Sequence, residues 1–335
     1  MFAALFALSA LFAQAHDSVP PLFATSEPLV FTLETDLRGL LRDRGTNRKA
    51  HPARLYYSAG NDSGSIAVAL RTRGIFRREH CGFPPIRIDF PSHKVEHTPF
   101  AGQNKLKLAT HCQSAQFYER NLLKEYALYR VFNAVTDTSF RVRLVHVTYV
   151  DTTKADTIRR YGFLIESDPA LAARLDADVS ETANVNDLIT DPAYMTLVAV
   201  FQYLIGNTDW SVWGRHNIAI MSSKTGHTLF AVPYDFDFSG AVGAPYAIPP
   251  QQLPIHSVRE RIYRGYCQSD TLVTAAFARF RSSRDSMYAA VRAVPDLPEH
   301  DAREMLDYFD DFYKAIDNRG VVQRDFIRGC RNPPR

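Results

Sequence analysis

Apolar and polar residues alternate with the period of β-structure in several stretches of the first half of the chain. Ile66, Val68 and Leu70 fall on one face of a segment that ends at Arg73-Gly74. Ile86, Ile88 and Phe90 alternate with Arg87 and Asp89 behind Pro84-Pro85, and Leu106 and Leu108 alternate with Lys105 and Lys107. Three short strands in succession predict an antiparallel sheet. From Tyr118 to Val135 the period changes, with Leu122, Tyr126, Tyr129 and Phe132 recurring at spacings of three and four, so a helix is expected there. Two further strands are predicted, Arg141 to Val150 and Tyr161 to Ile165. The first half thus reads β-β-β-α-β-β. Residues 17–54 show no consistent period, only a Pro20-Pro21 pair and a basic loop through Arg42, Arg44, Arg48 and Lys49.

The second half is more helical. Ala193 to Ile205 is nearly all apolar, which predicts a helix buried on every side, and it stops at Gly206-Asn207. Ile218–Met221 and Thr228–Val232 read as a hairpin around Ser222 to His227. Met305, Tyr308, Phe309, Phe312 and Ile316 mark an amphipathic helix near the end. A boundary near Glu166 to Pro169 divides the chain into a sheet-rich part, 16–166, and a helix-rich part, 167–335. The fold class expected is α+β.

Composition narrows this picture only at the margins. In 335 residues, 39 Lys and Arg face 36 Asp and Glu, a net charge of +3, so nothing calls for nucleic acid as a partner. Met1 to Phe12 is almost wholly apolar and Ala13-Gln14-Ala15 follows, the pattern of a cleaved export signal over 1–15, although no Lys or Arg precedes the apolar run. No later run is long enough to span a membrane. Four cysteines, without a C-x-x-C pair, suit an oxidising compartment outside the cytoplasm. Of three possible pairings, Cys81 with Cys112 and Cys267 with Cys330 respects the division of the chain.

The segment from Tyr203 to Gly240 carries the chemistry. A buried helix runs into a polar loop holding Asp209, Asn217 precedes the hairpin, and Asp235-Phe236-Asp237 follows it. In phosphoryl transfer a loop Asp orients or deprotonates the acceptor hydroxyl, while an Asn and a second Asp hold magnesium on the phosphates. Magnesium takes hard oxygen ligands and keeps several waters, so one Asn and one Asp suffice once phosphates supply the rest. Asp237 is an alternative to Asp235 as the metal ligand. The cluster Arg71, Arg73, Arg77 and Arg78 suits an acidic partner or phosphates.

Gly206-Asn207-Thr208-Asp209, His216-Asn217 and Pro233-Tyr234-Asp235 resemble, in order, the G-N-x-D, H-N and P-(W/Y)-D blocks of the spore-coat H (CotH) family of atypical protein kinases. Upstream, Arg73-Gly74, Lys105-Leu106-Lys107-Leu108 and Phe163-Leu164-Ile165-Glu166 resemble the family's R-G, its K-x-K-L strand and the strand before its interlobe hinge. The resemblance implies a two-lobed atypical protein-kinase-like fold, with a sheet-rich N-lobe and a helix-rich C-lobe. It makes Asp209 the catalytic residue, Asn217 and Asp235 the ligands of Mg2+ or Mn2+, and ATP the donor to a protein or small hydroxyl acceptor. Lys105 or Lys107 would contact phosphates, paired with Glu119 or Glu125, and Glu166 would sit at the adenine-side hinge. There is no G-x-G-x-x-G loop, and Gly60 to Gly64 is a poor substitute. Two other readings stand beside the kinase: a kinase-like binding module without chemistry, and a carboxylate-metal hydrolase built on Asp209, Asp235 and Asp237.

Overall fold

The alternating segments of the first half do form strands that pair antiparallel in succession as expected, and the sheet they belong to closes into a barrel. The structure is a computed structural model that describes residues 20–60, 62–91, 95–154 and 156–332. The expected export signal, 1–15, lies outside the described residues. Seven strands, β1 (Leu29–Thr35), β2 (His51–Ala59), β3 (Asp62–Thr72), β4 (Ile86–Asp89), β5 (Lys105–Ala109), β6 (Val142–Asp151) and β7 (Asp156–Ile165), are ordered β1-β2-β3-β4-β5-β7-β6. β1 pairs antiparallel with β2 and parallel with β6, and that parallel seam closes the ring. Inward positions follow the two-residue period: Phe31, Leu55, Leu70, Ile88, Leu106 and Val147 are buried inside the barrel. Closure removes the open edges that the barrel's own strands would otherwise present.

Helices α1 (Leu37–Arg42) and α2 (Phe76–His80) interrupt the strand succession, and α3 (Gln116–Val135) lies between β5 and β6. The rest of the chain adds α4 (Asp168–Arg174), β8 (Ala177–Val179), α5 (Pro192–Ile205), β9 (Ile218–Ser223), β10 (Leu229–Pro233), α6 (Asp270–Ser282), α7 (Arg284–Arg292) and α8 (Glu299–Asp317). β8, β9 and β10 form a small sheet of order β10-β9-β8. A second apolar core joins α3 and the outer face of β7 to these helices through Tyr129, Phe132, Phe163, Phe201, Phe236 and Phe309. Each such ring contributes roughly 1.5–3 kcal/mol by leaving water. The mixed α/β content matches the expected class. Among the described residues no helix is long and apolar enough to cross a membrane.

Two disulfides form, Cys81–Cys112 and Cys267–Cys330, the pairing preferred from the sequence. They are compatible with an exported protein. The first ties the end of α2 to the segment after β5; the second ties the stretch before α6 to the chain's last described turn. Closing loops of 31 and 63 residues contributes about 3–4 kcal/mol each in the chain-entropy model.

Beside the first disulfide, His111 is buried against the ring of Phe83 with no partner for its Nδ1. Burial, with Arg160 and Arg77 nearby, pushes its pKa down to about 4. The folded state therefore binds fewer protons here than the unfolded chain between that value and the usual one near 6.5. Stability from this residue is present at pH 7 and is lost as pH falls through that window. Comparing denaturation at pH 7 and pH 4.5, the native chain should lose up to about 3 kcal/mol more than a His111→Phe variant. Equal losses would show that His111 titrates normally.

Candidate functional site

The buried helix α5 aims the central loop. Asp191 caps its start by accepting from the Tyr194 N–H (2.7 Å), and Pro192 fills the first turn. Its end turns on Gly206, whose φ of 65° is left-handed and where any Cβ would strike the Tyr308 hydroxyl. Only glycine meets both demands. Asn207 then accepts from the Asp209 N–H (3.0 Å), and Arg264 donates to the carbonyls of Thr208 and Trp210, so the loop backbone is held on both sides of Asp209.

The Asp209 side chain is fixed by two donors. His216 Nε2 lies 2.8 Å from Oδ1, and Asn217 Nδ2 donates to Oδ2 (3.0 Å) and to the Asp209 carbonyl (2.8 Å). The hydrogen bond from His216 to this carboxylate raises the histidine pKa above its usual value. Asn217 has its amide nitrogen engaged, so its remaining side-chain atom is Oδ1, a hard oxygen donor. Its φ of 54° and that of Asp235, 62°, are both left-handed, a conformation Asn and Asp tolerate better than other side chains. The β9–β10 hairpin brings these two residues together: Ile218 pairs with Pro233, and the Tyr234 N–H donates to the Asn217 carbonyl (3.0 Å). From α3, the Tyr129 hydroxyl accepts from the Asp235 N–H (2.8 Å).

Asp235 and Asp237 part company here. Asp235 is half-buried and lines a cleft of about 230 Å³, together with Asp209, His216, Asn217, Arg73 and Glu125. Asp237 also lines the cleft but is buried, taking a hydrogen bond from the Tyr246 hydroxyl (2.9 Å) and facing Arg77 Nε at 3.8 Å. Arg77 also reaches Glu125 (3.4 Å) and donates to the Thr110 carbonyl. Burial pushes the Asp237 pKa up to about 8, with Asp235 adding to the shift and Arg77 opposing it. Burial likewise raises Glu125, and the neighbouring Asp237 adds to it. Among the described residues no three His, Cys, Asp or Glu side chains are gathered to hold a metal ion by themselves.

The structure brings Asp209, Asn217, Asp235, Asp237 and Glu125 into one cleft, and sets Lys105, Lys107, Glu119 and Glu166 outside it. The expected lysine–glutamate pair is absent from the cleft for a geometric reason. Lys105, Lys107 and Ala109 share the outer face of β5, and it is Ala109 that reaches the cleft. Lys105 is exposed, and Lys107 pairs with Asp168 at the start of α4 (2.8 Å) while lying over the Tyr234 ring. Glu119 accepts from the Tyr161 N–H of β7. Glu166 is fully buried, gripped by Arg174 through two bonds (3.0 and 2.9 Å) and by the Arg141 N–H (3.0 Å). The partner of Glu125 is instead Arg77 of α2, whose place in an arginine cluster was the only signal it gave. Gly60 follows the last residue of β2 and Gly64 lies in the first residues of β3, at the end of that strand away from Arg73 and the cleft. Trp210 is buried, with Arg264 over its ring, and does not line the cleft.

No family model matches this chain, and no curated protein matches it. Among solved structures, the chain is similar to the crystal structure of a Helicobacter pylori proinflammatory kinase, CtkA, with 10% sequence identity and a TM-score of 0.39, over 69% of this chain and 90% of that one.

Proposed function

We propose that the protein is an exported kinase-like phosphotransferase, which moves the terminal phosphoryl group of a nucleoside triphosphate such as ATP to a hydroxyl of a protein or small molecule. In this reading the barrel side and the helical side of the cleft are the two lobes of an atypical kinase of the CotH type. The observation that carries it is the convergence of Asp209, Asn217 and Asp235, from three separate turns, on one cleft.

The donor set fits Mg2+ or Mn2+: one carboxylate from Asp235 and the amide oxygen of Asn217 are hard ligands, too few for a closed protein cage but suited to an ion shared with phosphates. When bound, the ion neutralises charge on the phosphates. The chain's own residues do the rest. Arg73 and Arg77 present positive charge to the donor from the barrel side. Asp209, with each carboxylate oxygen held by a neighbour, retains lone pairs to accept the proton of the incoming hydroxyl. The hydroxyl oxygen then bonds to phosphorus as the bond to the bridging oxygen breaks. A hydrolase would want three or more carboxylate or histidine side chains gathered on one ion, and among the described residues no such group is assembled.

Thermal unfolding of the protein with ATP, with Mg2+ or Mn2+, and with both tests the site. Nucleotide at one hundred times its dissociation constant stabilises by about 2.7 kcal/mol, an easily resolved shift. Stabilisation that needs nucleotide and metal together is expected. No shift at millimolar nucleotide, with metal present, would remove the phosphotransferase reading.

A further inference from the structure

The roof of the cleft continues outward as a cationic strand face. On the outside of the barrel, β3, β4 and β5 align Arg71 beside Arg87 and Arg87 beside Lys107, and one row further out Ala69, Asp89 and Lys105. One row deeper, Arg73 donates its N–H to the Pro85 carbonyl and reaches the cleft with Pro85 and Ala109. Rows on one face are about 7 Å apart and strands about 4.8 Å apart, so five basic side chains share a patch continuous with the metal-binding end. Like charges set side by side across strands destabilise a sheet. Asp89 compensates part of this by pairing with Arg71 (2.7 Å) and Arg87 (2.7 Å), and Asp168 pairs with Lys107. Among the described residues, Arg73 and Lys105 have no acidic partner. These two cations are the ones on this face that no carboxylate neutralises at close range.

The same geometry offers little to a nucleobase. Glu166, at the end of β7, gives its N–H to the Arg141 carbonyl (2.9 Å), and its carboxylate is held by Arg174. Neither group is left to read the edge of a base. Lys107, paired with Asp168, lies over the ring of Tyr234, whose side chain lines the cleft, and so sets a charge beside that aromatic wall. The apolar lining, which includes Ile75, Phe76, Pro85, Ala109, Ile165 and Phe238, has no side-chain donor or acceptor to tell one base from another. The cavity, about 230 Å³, is smaller than the roughly 300–1,000 Å³ usual for pockets that enclose a whole small-molecule ligand.

We infer that the cleft selects its phosphoryl donor by the phosphate chain and not by the base, so that inorganic polyphosphate serves as donor beside nucleoside triphosphates. This rests on the phosphotransferase reading. The terminal phosphoryl group passes to the acceptor hydroxyl, one phosphoanhydride bond breaks, one phosphate ester forms, and the polyphosphate leaves one unit shorter. The hydroxyl proton goes to Asp209. The trailing phosphates run from the Arg73 end of the cleft across Arg71, Arg87, Lys107 and Lys105. An exported enzyme would then be independent of the scarce extracellular ATP pool.

The test is equilibrium binding to the full chain with Mg2+, comparing ATP, GTP, inorganic tripolyphosphate and a longer linear polyphosphate. The expected result is ATP and GTP within about threefold of each other, tripolyphosphate no weaker than ATP, and the longer chain tightest, since added phosphates meet added cations. Lys105→Gln, which alters an exposed side chain, should weaken the longer chain about threefold or more and leave tripolyphosphate unchanged. ATP binding at least tenfold tighter than both GTP and tripolyphosphate, about 1.4 kcal/mol read from the base, overturns the inference while leaving the phosphotransferase standing. Failure of all four ligands removes both.

Discussion

Replacing Arg77 with methionine should destabilise the protein by about 1–3 kcal/mol, the cost of leaving buried polar groups without their hydrogen-bond donor. Arg77 is buried between Glu125 and Asp237 and also satisfies the Thr110 carbonyl, so its loss strands two carboxyl groups and a carbonyl at once. Methionine keeps much of the volume, which isolates the electrostatic loss from that of a cavity. Urea denaturation at pH 7 measures the difference. A loss below about 1 kcal/mol for Arg77→Met would mean that the two carboxyl groups hold each other by sharing protons and need no arginine.

Asp209 and Asp235 should fail in different ways. Asp209→Ala is expected to keep metal-dependent nucleotide binding and lower phosphoryl transfer by about 10²–10⁴-fold, the usual span for a lost acid–base group. Asp235→Ala should abolish the metal dependence of binding, since the ion loses its only carboxylate from the protein. Because Asp209 also anchors His216 and Asn217, the isosteric Asp209→Asn serves as a control for local collapse. Transfer retained in Asp209→Asn would show that the carboxylate is not the base. Nucleotide binding that keeps its metal dependence in Asp235→Ala would assign the ion elsewhere. Unfolding of Asp209→Ala would make Asp209 a structural residue.

The parts legible in the sequence were those whose signal is local. The alternations at Ile66, Ile86 and Leu106, the 3.6-residue period of α3, the apolar run of α5 and the β9–β10 hairpin all became the expected elements. β1 and β2 did not declare themselves. In β2 only Leu55 and Tyr57 are buried, and the flanking His51, Pro52 and Arg54 hide the period. Barrel closure was equally invisible, because it depends on β1 lying parallel to β6, a pairing no short window contains. The division among site residues follows the same line. Asp209, Asn217 and Asp235 lie on one short stretch whose helix end and hairpin could be read, so their convergence could be expected. The pairing of Glu125 with Arg77 could not, because it needs a five-residue helix inserted between β3 and β4 and tied by Cys81–Cys112. Two residues of β5 decided the lysine question: Lys105 and Lys107 share a face with Ala109, and only the position of the strand over α3 determines which of the three meets the cleft.

The parallel seam of the barrel also constrains how the molecule assembles. Leu29 must wait for Val145 before the ring can close, so the earliest strand depends on one of the latest to finish its pairing. Contacts so distant along the chain make folding slow, and the incomplete ring carries a bare edge during that wait. Under the export proposed above, such delay would be useful, since a barrel unable to close early stays threadable. The same delay sets the hazard of recombinant production, where partly built rings can pair with one another through the edges that closure would have removed.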